Sequence, residues 1–320
     1  MKPKVVVSFR QCEDVFESLN DLAHVRFCPS SNREEFLKEL SDAEALVVGG
    51  EPIDEDLLEE APKLRIIARF GVGYERIDLE ACTKRGIYVS YTPGALSNAV
   101  AELTMGLILC LSRKITEADR YVRTEWGKGP RFTLGIDLEG KTLGIIGLGR
   151  IGIAVARRTK AFDMKLVYYD VIHRQDLEET LGIRFVELDD LLRISDFVTI
   201  HIPLTSSTRG LIGERELKLM KKDAYLINTS RGSIIDEEAL CRALKEGGIA
   251  GAGLDVFAKE PLPLDSPLAK LRNVVLTPHV GSATVETRRK MAQVSAENVR
   301  RVLQGEPPLN LVPEQKGKIL

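Results

Sequence analysis

Leu143-Gly144-Ile145-Ile146-Gly147-Leu148-Gly149-Arg150-Ile151-Gly152 is the stretch from which the fold can be read. Its first four residues form a short apolar run, as in a buried strand. The three glycines then follow in the order G-x-G-x-x-G, and residues 151–161 carry a helical pattern. Asp170 closes the next apolar run, about 20 residues further on. Glycine lets the backbone turn tightly and approach a pyrophosphate, and a helix N-terminus presents unpaired N–H groups and a positive dipole end. An aspartate at that distance accepts hydrogen bonds from ribose hydroxyls and repels a 2′-phosphate. The expectation is an NAD site on a strand–loop–helix unit, with NAD preferred to NADP. His173 and Arg174 are the nearby residues that argue the other way, and a purely structural glycine turn is the plain alternative.

Outward from this stretch, short β-rich runs alternate with helical patterns, the sequence form of a parallel sheet covered by helices. Downstream, strands are expected at 142–147, 165–170, 197–201, 224–228, 249–255 and 274–277, enough for one doubly wound dinucleotide domain. Upstream they are expected at 4–9, 45–48, 64–68 and 87–90, with helices at 33–40 and 55–61. One long helix is expected over 98–122, carrying the chain from one domain to the next, and a last helix over 283–303. The fold class is therefore α/β, with two doubly wound parallel-sheet domains. Residues 99–285 are expected to form a Rossmann domain for NAD, inserted into a flavodoxin-like substrate domain made of 1–98 and 286–320.

Composition narrows the function. The 320 residues carry a net charge of −2, so no global field draws the chain to nucleic acid or to an anionic membrane. No apolar run reaches the ~18 residues of a spanning helix. The N-terminus runs straight into Val5-Val6-Val7, which reads as a strand rather than a signal peptide. Five scattered cysteines without a C-x-x-C pair suggest reduced thiols in a cytoplasm and no metal site.

Three polar residues lie at or just past expected strand ends: Arg231 after Asn228-Thr229-Ser230, Glu260 after Gly253-Leu254-Asp255, and His279 after Thr277-Pro278. The carboxyl ends of parallel strands face one crevice, so the three can converge. A guanidinium binds a carboxylate through two hydrogen bonds. An imidazole exchanges a hydroxyl proton near neutral pH, and a carboxylate beside it orients the ring and favours its protonated form. This is equipment for carbonyl–alcohol redox chemistry. His201-Ile202-Pro203-Leu204-Thr205 also follows a strand end and can close over a cofactor or be simply a turn. In the first domain Phe70-Gly71-Val72-Gly73 follows a strand, and its N–H groups can hold a carboxylate or form an ordinary glycine turn.

With these segments in order, the chain resembles the D-isomer-specific 2-hydroxyacid dehydrogenases, which include phosphoglycerate dehydrogenase and glyoxylate/hydroxypyruvate reductase. The resemblance runs from about Leu64 to about Thr287, through Gly71-Val72-Gly73-Tyr74-Glu75-Arg76-Ile77-Asp78, the glycine loop, Asn228-Thr229-Ser230-Arg231-Gly232, Gly253-Leu254-Asp255-Val256-Phe257 with Glu260-Pro261, and Thr277-Pro278-His279-Val280-Gly281. It implies interconversion of a small D-2-hydroxy acid and its 2-oxo acid. In that reading Arg231 binds substrate, Glu260 and His279 form the acid–base pair, and Val72 and Gly73 hold the substrate carboxylate. Cofactor contacts are expected from Gly147, Gly149, Arg150, Ile151, Gly152, Asp170, His201, Pro203, Thr205, Thr229, Asp255, His279 and Gly281. The family also implies a homodimer with the long helix in its interface region. An NAD-sensing corepressor on the same scaffold is the rival from another class. For a phosphorylated acid, Arg69 and Arg131 are the candidate cations, whereas Gly49-Gly50 without a cation points to a small unphosphorylated one.

Overall fold

The computed structural model describes residues 2–129 and 131–319. Contacts divide the chain into two compact units, 1–96 with 282–320, and 97–281.

The first unit is built on five strands: β1 (Lys4–Val7), β2 (His24–Phe27), β3 (Ala45–Val48), β4 (Ile66–Arg69) and β5 (Tyr88–Ser90). All are parallel, in the order β2-β1-β3-β4-β5, the flavodoxin order. β3 is buried at every residue, as a central strand covered on both faces must be. The closing stretch of the chain runs along β5: Ser90 and Leu311 pair antiparallel, and the buried Gln315 accepts the Val89 N–H (2.7 Å) and donates to the Ile87 carbonyl (3.0 Å). These contacts give a sheet edge its missing partners.

The second unit holds seven strands: β6 (Thr142–Ile146), β7 (Lys165–Tyr169), β8 (Ile183–Phe185), β9 (Phe197–Ile200), β10 (Tyr225–Asn228), β11 (Gly251–Leu254) and β12 (Val274–Leu276). All are again parallel, in the order β12-β11-β10-β9-β6-β7-β8. The order reverses between β9 and β7 around β6, so the switch point lies at the glycine loop.

Both units are the expected doubly wound parallel sheets. The sequence reading missed one strand in each, β2 and β8, and both are sheet edges. β2 shows only exposed and half-buried residues and β8 has a single buried one, so neither carries the apolar run of an interior strand. The single helix expected over 98–122 is two, Ser97–Ser112 and Ile115–Thr124. Lys114 breaks it by adopting a left-handed backbone (φ 52°), with no glycine or proline to announce the turn. The first of the two packs on β10, β11 and β12; the second has no buried residue.

Candidate active site

The glycine loop joins β6 to the helix Arg150–Thr159. A Cβ on Gly152 would run into the carbonyl oxygen of Gly147, so only glycine lets the helix start this close to the strand. Gly147 takes φ +96°, with the His201 carbonyl against it. A Cβ at Gly149, by contrast, would meet nothing within 4 Å, which leaves an open cradle at the helix N-terminus. Among the described residues no side chain caps that end, and the first N–H groups of a helix lack intrahelical acceptors. Asp170 closes the cradle: one carboxylate oxygen accepts the Leu148 N–H (2.7 Å) and the other the Ile172 N–H (3.0 Å). The residues fit a dinucleotide's pyrophosphate and ribose.

The other residues singled out by the sequence stand at the same edge of this sheet. His201 follows β9, Thr229-Ser230-Arg231 follows β10, Asp255 follows β11, and His279 follows β12. The His279 ring Nδ1 lies 2.7 Å from Glu260 Oε2, and Glu260 Oε1 accepts the Phe257 N–H (3.0 Å). Nε2 of His279 meets no partner among the described residues. Burial alone would raise the Glu260 carboxyl's pKa. The hydrogen bond to His279, the Phe257 N–H and the charges of His279 and Arg231 outweigh it and hold the group below its ordinary value. Arg231 is therefore near enough to act on Glu260, and its Nη1 donates to the Ser230 carbonyl (2.7 Å). Its loop is tied down at three points: Asn228 donates to the Arg231 carbonyl (2.8 Å), Ser230 N–H donates to Asn228 Oδ1 (3.0 Å), and Ser230 Oγ donates to the Ile202 carbonyl (2.5 Å).

His279 adopts a left-handed backbone (φ 53°), a costly state for a non-glycine residue that neighbouring contacts must enforce. The enforcing residue is Asp255, 1% exposed. Its carbonyl accepts the His279 N–H (2.8 Å), and its carboxylate accepts Thr277 Oγ1 (2.6 Å) and the N–H groups of Val280 and Gly281 (2.8 Å each). The sequence places Asp255 only among the cofactor contacts; its hold on the 277–281 turn spans 22 to 26 residues, a separation that no local spacing can flag. The reading also gave no notice that Thr229 is braced by Thr104 from the helix Ser97–Ser112 (Oγ1 to Oγ1, 3.0 Å).

His201 is placed differently from a ligand-facing histidine. Its Nε2 pairs with the buried Thr199 hydroxyl (2.9 Å), its Nδ1 is shut from solvent without a partner among the described residues, and burial pushes its pKa down to about 3. Its ring is a neutral packing piece, and its carbonyl is what lies against the glycine loop. Pro203 and Thr205 form an exposed turn in which Thr208 Oγ1 donates to the Pro203 carbonyl (2.7 Å). His173 and Arg174 are both engaged: His173 Nε2 with Glu178 (2.7 Å), Arg174 with both oxygens of Asp176 (2.9 and 2.8 Å).

In the first unit the loop after β4 leaves the N–H groups of Val72 and Gly73 without acceptors among the described residues, as a carboxylate-binding loop requires. The guanidinium of Arg69 folds back on this loop's own carbonyls, donating from Nε to Gly73 and from Nη1 to Phe70.

A family-wide sequence profile for the NAD-binding domain of D-isomer-specific 2-hydroxyacid dehydrogenases matches residues 105–281. The chain belongs to that family. It is 48% identical to a glyoxylate reductase of Korarchaeum cryptofilum over 100% of this chain and 98% of the relative. A glyoxylate reductase structure from Paecilomyes thermophila superposes with a TM-score of 0.89 at 34% identity, covering 98% of this chain and 99% of that one. An NADPH-dependent glyoxylate/hydroxypyruvate reductase from Sinorhizobium meliloti, solved with NADP and malonate, gives 0.89 at 33% identity, covering 98% of both chains. This dehydrogenase is thus an oxidoreductase that interconverts a 2-hydroxy acid and a 2-oxo acid with a nicotinamide dinucleotide. Among its described residues no helix is long and apolar enough to cross a membrane.

Proposed function

We propose that the protein is an NAD-dependent reductase of small, unphosphorylated 2-oxo acids of the glyoxylate and hydroxypyruvate kind, yielding the D-2-hydroxy acid. The observation that carries this is the His279–Glu260 pair, 2.7 Å apart and within the electrostatic reach of Arg231, with His279 Nε2 left open among the described residues. Arg231 binds the acid's carboxylate and polarises the neighbouring carbonyl. A nicotinamide dinucleotide bound at the glycine loop supplies the hydride for C2. Protonated His279 gives the proton on Nε2 to the oxygen that becomes the hydroxyl, and takes it back in the reverse direction. Glu260 stays ionised throughout, orients the ring and steadies its positive charge.

NAD preference rests on Asp170 at the ribose position and on the engagement of Arg174 by Asp176 and of His173 by Glu178, which leaves neither cation poised for a 2′-phosphate. An unphosphorylated substrate is supported by the inward fold of Arg69 and by the glyoxylate reductases among the relatives. The working unit is a homodimer. Ile115, Val122, Trp126 and Leu134 are all exposed within one stretch of the second unit, and a second copy of the chain would cover them. Substrate binding by the first unit, 1–96 with 282–320, runs through the Val72 and Gly73 N–H groups. Steady-state assays of glyoxylate, hydroxypyruvate and 3-phosphohydroxypyruvate, each with NADH and NADPH, test the reading. Turnover with NADH and the first two acids is expected; a preference for NADPH or for the phosphorylated acid overturns the corresponding half.

A further inference from the structure

We propose that Arg69 is a positioning residue of the acid-binding loop, holding its carbonyls so that the N–H groups of Val72 and Gly73 stay aimed at the ligand. The inference rests on the reading above, in which this loop takes the substrate carboxylate. Arg69 is the last residue of β4, and its guanidinium turns back over residues 70–73. Nε donates to the Gly73 carbonyl (2.8 Å) and Nη1 to the Phe70 carbonyl (2.5 Å). The Gly71 carbonyl between them accepts the Thr92 N–H (2.9 Å). In a trans peptide the C=O and the following N–H point in opposite directions. Holding the Gly71 carbonyl therefore turns the Val72 N–H away from Thr92. Holding the Gly73 carbonyl clamps the far side, so the plane carrying the Gly73 N–H is fixed from both ends.

Gly71 fits this role. A Cβ there would meet the guanidinium carbon and both terminal nitrogens of Arg69 at 2.8–2.9 Å, so the cation lies flat against the Gly71 backbone. On one flank Arg288 lies over the Phe70 ring, 5.6 Å from its centroid, and fixes the start of the loop. A half-buried cation backing a row of N–H groups also adds favourable potential for an anion. A lysine could not do the same, because its single nitrogen lacks the planar fork that spans two carbonyls.

The test uses the full chain with Arg69→Gln and Arg69→Lys, assayed with NADH on glyoxylate, hydroxypyruvate and 3-phosphohydroxypyruvate. Loss of two charge-assisted hydrogen bonds should raise KM about tenfold or more in Arg69→Gln. The rise should be equal for every acid that the wild type turns over, because all present the same carboxylate, with kcat and the KM for NADH nearly unchanged. Arg69→Lys should fall between. Oxalate binding followed by calorimetry should weaken in parallel. An unchanged KM overturns the proposal, as does a rise confined to the phosphorylated acid, which would make Arg69 a direct contact to the substrate's tail. A fall in kcat and NADH affinity together with a lowered melting temperature assigns Arg69 to general stability and also overturns it. Should Arg69→Gln not fold, Arg69→Lys decides, an unchanged KM there being the refuting result. If the wild-type chain reduces no 2-oxo acid at all, it is the functional reading that fails, and this inference falls with it; wild-type turnover with an unaltered KM in the variants refutes the clamp alone.

Discussion

In the first unit the loop after β4 offers a ligand only backbone N–H groups, backed by Arg69; in the second, the loops after β10, β11 and β12 offer ionisable side chains, Arg231, Glu260 and His279. Both units are doubly wound parallel sheets, so architecture alone does not assign their roles. What separates them is what stands on the carboxyl edge. N–H groups bind an anion equally well before and during reaction, whereas an acid–base pair acts on a proton that moves only during reaction. Substitutions of the acid–base pair, Glu260 and His279, should therefore change kcat, and those in the first unit's loop should change KM.

The sharpest way to break this contrast is His279→Ala. It should lower kcat by roughly 10²- to 10⁴-fold while the affinity for NADH, read by fluorescence titration, holds. A change in KM alone would place the proton transfer elsewhere. Glu260→Gln comes next, with a fall of about 10- to 100-fold in kcat. It also tests the pH behaviour. The Glu260 pKa is lowered, so the carboxylate persists as pH falls until that lowered value is passed, and only then does the ring lose its partner. The wild-type rate should thus hold through the ordinary carboxylate range near pH 4.3, and the limb that Glu260 contributes below it should be absent from the variant's pH–rate profile. Asp170→Ala should raise the KM for NADH by about tenfold with little effect on kcat, as lost hydrogen bonds to a ribose imply. Adding Asp176→Ala, which frees Arg174, should move preference towards NADPH. The smallest effect on chemistry is expected from Leu134→Asp with Trp126→Asp, which should shift sedimentation from dimer to monomer while each chain keeps its NADH site.

His201 offers a separate check through stability. Its folded pKa, about 3, lies below the unfolded value near 6.5, so the unfolded chain binds the extra proton. Stability should fall as pH drops from about 6.5 towards 3, and His201→Gln should flatten that part of the melting-temperature profile.

Much of the molecule was legible because the relevant signals are local. The apolar run of β6, the three glycines, the helix after them and Asp170 lie within 28 residues, and each has a backbone reason to be where it is. Interior strands showed as apolar runs because parallel sheets bury both faces. β2 and β8 did not show, because an edge strand is half solvated and its pattern fades. The break at Lys114 did not show either, since a left-handed lysine leaves no mark in the apolar period.

The parallel α/β class, the dinucleotide loop and the choice of Arg231, Glu260 and His279 as candidate site residues follow from the order of residues alone, since residue type and position after a strand carry that information. How they are held follows from packing in three dimensions. Asp255 enforces the His279 backbone, Glu260 lies 2.7 Å from one ring nitrogen and leaves the other open, and Arg69 turns inward onto its own loop. Those outcomes depend on hydrogen bonds between groups far apart in the chain or on the direction one side chain takes, and neither is encoded in any window of neighbouring residues.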